Sequence, residues 1–173
     1  RKRIAWTNFG FFSMLFIMGI GNTFAQSSTV FVPYEAAGYK ILMTKGSSVP
    51  ANFQSPTFND ASWATAWAAV GKINPPCPLN TSAHVHTEWT QSKDVLLRKH
   101  VTLPAGTRNV RISVALDNSV RVWLNGTDIS GGIRTHQDCA AQGDFVFNVP
   151  DNLLRVGDNV LAVRGFWING NAN

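Results

Sequence analysis

The chain has 173 residues, 45% of them hydrophobic and 14% charged, a balance that excludes a disordered chain and suits one globular domain. Its formal charge of +5 and pI of 9.6 do not indicate a nucleic-acid partner, because three of the cations open the chain and the rest are scattered without a basic stripe.

Arg1, Lys2 and Arg3 form a basic start, Phe11 to Ile20 is an apolar run, and Thr23-Phe24-Ala25 precedes Gln26 as a small-residue cleavage site. This is the pattern of an export signal, residues 1–25, cut between Ala25 and Gln26. A membrane anchor is the competing reading, but the apolar run is broken by Gly19, Gly21 and Asn22 and falls short of the roughly 20 residues a spanning helix needs. With the leader removed, 12 Lys and Arg face 10 Asp and Glu, a balance of +2. The remaining 148 residues, 26–173, are enough for one domain that buries about two-thirds of its unfolded surface. The chain does not start with Met and stops at Gly165-Phe166-Trp167-Ile168-Asn169-Gly170-Asn171-Ala172-Asn173, so it reads as part of a longer protein. No membrane association is expected after signal removal.

Along the mature chain the signals are strands and turns. Ser28 to Pro33 and Tyr39 to Thr44 are short strand candidates, followed by a long irregular stretch from Val49 to about Ser92 broken by Pro50, Pro56, Pro75, Pro76 and Pro78. Within it, Asp60 to Trp67 fits one capped helical turn or an extended segment. Clearer strands follow at Val95 to Leu103, Asn109 to Leu116, Ser119 to Leu124, Phe145 to Val149 and Asn159 to Phe166. Val120, Val122 and Leu124 alternate with Arg121 and Trp123 before Asn125-Gly126, the signature of a half-buried strand entering a type I′ turn. Many short strands between turn residues predict an all-β sandwich or barrel. Cys77 and Cys139 are the two cysteines. Outside the cytoplasm they are expected to form one disulfide between loops.

No nucleophile elbow, Walker loop or dinucleotide fingerprint is present. Asp60, Asp117, Asp128, Asp138, Asp151 and Asp158 sit beside turn residues, where a carboxylate usually caps the local backbone. Glycoside hydrolysis needs two carboxylates about 5 to 10 Å apart, and sequence alone does not pair these. No catalytic role is expected for this chain. His84-Val85-His86 with Glu88 could begin a zinc site if the segment is a strand, but no third ligand can be named, and a polar edge or loop is the plainer reading. Asn80-Thr81-Ser82 and Asn125-Gly126-Thr127 are sequons that matter only in a glycosylating host.

Four motifs resemble one family. Val95-Leu96-Leu97-Arg98-Lys99-His100-Val101-Thr102-Leu103-Pro104 is similar to the y-L-R-K-x-F-x-L-P strand of galactose-binding-like jelly rolls. Ala115 to Gly126 resembles their A-D-D-x-x-x-V-W-V-N-G hairpin, Asn152 to Val163 their x-L-L-x-x-G-x-N-V-L-A-V strand, and Phe58-Asn59-Asp60-Ala61-Ser62-Trp63 their F-D-D-S-x-W. The four occur in the family's order from Phe58 to Val163. The resemblance implies a galactose-binding-domain-like jelly-roll β-sandwich of the kind that accompanies secreted glycoside hydrolases. One more strand usually follows the last motif, so the sandwich is expected to lack its last strand. It also implies a structural calcium ion as a family feature, with no ligand set assigned and no other cofactor.

The expected function is a non-catalytic carbohydrate-binding or accessory module of an exported protein, whose partner is a glycan or polysaccharide or an adjacent domain of the same chain. Two alternatives stand beside it: the N-terminal sandwich domain of a glycoside hydrolase, and a structural or adhesion module without ligand. Sugars stack their C–H faces on aromatic rings while polar groups at the rim bond the hydroxyls. Trp67, Trp89 and Trp167, in or beside irregular segments, are therefore the candidate sugar contacts, whereas Trp63 and Trp123 are expected in the core.

Overall fold

The computed structural model describes residues 28–167. The leader, its junction at Ala25 and Gln26, and Asn169-Gly170-Asn171 lie outside the described residues.

Eleven strands are present among the described residues: β1 Ala37–Thr44, β2 Ala64–Trp67, β3 Val70–Gly71, β4 Thr87–Glu88, β5 Asp94–Leu103, β6 Arg111–Val114, β7 Asn118–Leu124, β8 Thr127–Asp128, β9 Arg134–His136, β10 Phe145–Asn148 and β11 Gly157–Phe166. They form one large antiparallel sheet in the order β2-β1-β5-β11-β7-β8, with β9 also on β7. An antiparallel pair β6–β10 and a two-residue parallel pair β3–β4 stand apart. The five clearest sequence expectations appear as β5, β6, β7, β10 and β11, and Tyr39 to Thr44 as β1. Asp60 to Trp67 resolves as a turn followed by the extended β2. Ser28 to Pro33 is not a strand. It has no neighbour to pair with, and Val30 and Phe31 remain exposed.

Period-two alternation divides the large sheet into two buried faces. On one, Val120, Val122 and Leu124 of β7 join Leu161 and Val163 of β11, covered by Phe147 and Val149 with Ile112, Val114 and Phe145 of the β6–β10 pair. Ile41, Ala66, Trp89 and Val95 continue this face toward β2. The other face holds Leu96, Trp123 and Ala162 under Phe53 and Trp63. The Phe53 ring meets Trp123 edge-on at 5.3 Å, and Phe58 meets Trp63 at 5.6 Å. Trp63 and Trp123 are core residues, as the sequence implies. β11, covered on both faces, reads as the near-continuous apolar run Val160-Leu161-Ala162-Val163.

The second face explains why two of the motifs occur together. Arg98, the Arg of the L-R-K motif, is fully buried there. Its Nε donates to Asp60 Oδ2 at 2.7 Å, and Asp60 belongs to the F-N-D-A-S-W motif. Its Nη1 donates to the carbonyls of Phe53 and Ser55, and its guanidinium lies 5.4 Å from the Phe58 ring centre. One side chain thus fastens the irregular segment 53–60 onto the sheet.

The hairpin expected at Asn125-Gly126 is present, with φ of 52° and 86°, the left-handed pair that a type I′ turn requires. Asn125 also braces the fold: its Nδ2 donates to Leu153 O and Asn159 Oδ1, both at 2.8 Å, and Val160 N–H donates to its Oδ1. Asn159 in turn donates to Arg155 O and Gly157 O across the turn before β11. This stretch is framework. Cys77 and Cys139 form a disulfide, joining two loops 62 residues apart in sequence.

Candidate functional site

The three tryptophans singled out as sugar contacts do not converge. Trp89 lies in the core at 6% exposure, with its indole N–H donating to Lys93 O at 2.6 Å. It offers no face to a ligand. The residue precedes β5 in a polar stretch, which is why sequence places it in a loop, but its ring folds back against Gly165 and Val95. Trp167 is half-buried just past β11, where its backbone N–H donates to Asp94 Oδ1 at 3.0 Å. Trp67 pairs with Ala37 at one end of β1, while Asp94 pairs with Thr44 at the other. Seven residue steps of extended strand separate the two ends by about 23 Å.

Trp67 is the exposed one. It ends the edge strand β2 with 49% of its surface accessible. Its backbone is clamped by Thr87, whose hydroxyl donates to Trp67 O at 2.8 Å and accepts from Trp67 N–H at 3.1 Å. The His86 ring stacks on the indole, with centres 4.1 Å apart and planes within 14°. One face of the indole is therefore covered, and the exposed area is its opposite face and edge. The indole N–H donates to Glu35 O, so the ring is fixed at both backbone and side chain.

Glu35 organises the polar side of this platform. Its Oε1 accepts from His84 Nδ1 at 2.6 Å and its Oε2 from His86 Nε2 at 3.2 Å. Those bonds, His84 first and then His86, hold its carboxyl below the ordinary 4.5, against a smaller opposing effect of burial. Glu35 adopts φ 57°, a left-handed conformation that costs a non-glycine residue roughly 1–2 kcal/mol and that the two histidines stabilise.

The acid that pairs with His84-Val85-His86 is therefore Glu35 and not Glu88, which is exposed on β4. The two histidines lie on a loop and not a strand, with His84 N–H bonded to Thr81 O and His86 N–H to Ala69 O. Glu35 lies 49 residues upstream of His84 in a segment without periodicity, so no local signal connects them. Among the described residues, no group of three or more His, Cys, Asp or Glu side chains is arranged to hold a metal ion.

The remaining acids brace turns and strand ends. Asp128 accepts the N–H groups of Ser130, Gly131 and Gly132, the Ser130 hydroxyl and Arg121 Nε. Burial alone would raise its pKa, but these bonds outweigh it and the net shift is downward. Asp151 caps Asn109 N–H at 2.8 Å, and Asp144 caps Ala141 N–H at 2.6 Å. Asp117 is buried, and burial raises its pKa. Asp158 pairs with His100 at the exposed start of β11. An exposed aromatic face beside a fixed carboxylate and two imidazoles can stack a sugar ring and bond its hydroxyls.

No protein-family model matches the chain, and no curated protein sequence matches it. Solved structures do. A β-glycosidase from Bacteroides vulgatus superposes with a TM-score of 0.51 at 20% identity, over 77% of this chain and 16% of that one. A Bacteroides uniformis β-glucuronidase gives 0.51 at 17% identity, over 80% and 14%. A calcium-binding mutant of Bacteroides uniformis β-glucuronidase 2 gives 0.50 at 19%, over 75% and 14%. At these identities the likeness is one of fold, and the chain spans about a sixth or less of each neighbour. The resemblance carried by the four sequence motifs therefore holds at the level of architecture: the chain is an all-β sandwich of the kind these glycosidases contain as one part of a much longer protein.

Proposed function

We propose that this sandwich is a non-catalytic carbohydrate-binding module that acts beside a catalytic domain of the glycoside-hydrolase type in an exported protein. The observation that carries the reading is Trp67, a half-exposed indole locked by Thr87, His86 and Glu35 with one face turned outward. An aromatic ring held rigid and half exposed suits the apolar face of a sugar. The disulfide supports an oxidising destination. No helix among the described residues is long and apolar enough to cross a membrane. The neighbouring glycosidase structures support a catalytic partner in the same chain. They equally favour a second reading, in which the sandwich is an N-terminal domain of such an enzyme and makes no sugar contact.

Affinity-gel and glycan-panel assays decide between the two. Trp67→Ala should lose most of the retardation by a bound polysaccharide, at least tenfold in affinity, while Trp63→Phe, a change within the core, should keep it when folded. Retention should also fall as the pH drops below the ordinary carboxylate range. The Glu35 pKa is depressed in the folded protein, so its ordering effect is full above the unfolded value and is lost as pH drops through the lowered one. A folded protein that binds no glycan across the panel would assign the sandwich to scaffold.

A further inference from the structure

A recess lies on the sheet face opposite the β6–β10 pair. Its floor is β7 and β11, and its walls are the segment 46–54 and the loop bearing Ile133. Its volume is about 480 Å³, within the range of roughly 300–1,000 Å³ usual for small-ligand sites. Two arginines, Arg121 and Arg164, line it. They sit directly opposite each other on neighbouring strands, where side chains start about 5 Å apart and like charges are unfavourable.

Each arginine is aimed by its own carboxylate and by an aromatic ring. Arg121 uses Nε on Asp128 at 2.8 Å, and its guanidinium carbon lies 5.1 Å from the Trp123 ring centre. Arg164 places Nε and Nη2 on a single oxygen of Asp94, at 2.9 and 2.6 Å, and lies 4.3 Å from the Phe166 ring centre. Among the described residues, Arg121 Nη1 and Nη2 and Arg164 Nη1 have no protein partner. The two carboxylates have other donors to satisfy: Asp128 takes four bonds from residues 130–132, and Asp94 takes the Trp167 N–H. The pair thus presents unpaired N–H donors from two immobilised, planar cations, a geometry that matches a planar carboxylate. Exposed Ile133 at the wall and Phe166 supply apolar surface beside it.

We propose that this cleft binds the carboxylate of an acidic saccharide, one that contains uronic acid units. The proposal rests on the carbohydrate reading above but uses a different site, so the two can fail separately. Three probes separate the outcomes in calorimetric titrations of the chain: an oligogalacturonate, a neutral gluco-oligosaccharide of equal length, and inorganic sulfate. The oligogalacturonate should bind saturably and weaken at least tenfold in Arg121→Gln. That side chain is 42% exposed, so the variant should still fold. Arg121→Lys, which keeps the charge but not the fork, should also lose affinity, and Val156→Ala, an exposed change outside both sites, should leave this binding unchanged. Equal binding of neutral and acidic oligomers, equal competition by sulfate, or no effect of Arg121→Gln in a folded protein would overturn the proposal. Neutral-glycan binding that depends on Trp67 alone would leave the module reading standing and remove this one.

Discussion

Arg98 is a charge with no access to water, bonded to Asp60, to three carbonyls and against the Phe58 ring. A buried ion pair adds little compared with an apolar pair of the same shape, but removing one partner leaves the other uncompensated. Arg98→Met should therefore lower unfolding free energy by about 3–5 kcal/mol in urea titrations. Adding Asp60→Asn should cost less than the two single changes summed. Residue-level chemistry was unevenly legible. Trp63 and Trp123 are buried as their motif positions imply, and Trp67 is exposed as its irregular setting implies. Glu35 carries no visible mark, and Arg98 stands in a motif that does not reveal its pairing with Asp60, because the partners sit 49 and 38 residues away. Trp89 misleads for the reverse reason: its neighbours are polar, yet its ring turns inward.

At the scale of elements, the long strands were readable because burial leaves a pattern. β7 alternates, and β11, covered on both sides, runs apolar. The short ones were not: β3, β4 and β8 are two residues each and are set by tertiary neighbours more than by their own sequence. Gly165 shows how tightly the central strand is fitted. A Cβ there would lie 2.8 Å from the Trp89 ring and 3.5 Å from Leu116, and the indole cannot swing away without losing its bond to Lys93 O. Gly165→Ala should thus destabilise by about 1–3 kcal/mol, the usual cost of overpacking. Thermal unfolding by circular dichroism would measure this, with a near-ultraviolet change reporting the displaced indole. An unchanged melting temperature would mean that strand and ring shift apart freely.

Across the whole molecule, the architecture follows from one rule applied twice: a sheet apolar on both faces must be covered on both. The β6–β10 pair covers one face and the coil 49–63 the other, with the Arg98–Asp60 pair holding the coil down. The Cys77–Cys139 bridge adds a covalent tie between loops. Closing a loop of 62 residues contributes about 4 kcal/mol in the chain-entropy description. Denaturant unfolding with and without dithiothreitol should show a lower midpoint when reduced, and matching midpoints would mean that the loops are held without it.

The large sheet ends in β2, four residues long, on one side, and in two- and three-residue pieces, β8 and β9, alongside β7 on the other. Among the described residues, neither border of this sheet offers a long row of unpaired backbone groups on which another chain could add a strand. Edge-to-edge pairing of two copies through this sheet is therefore disfavoured.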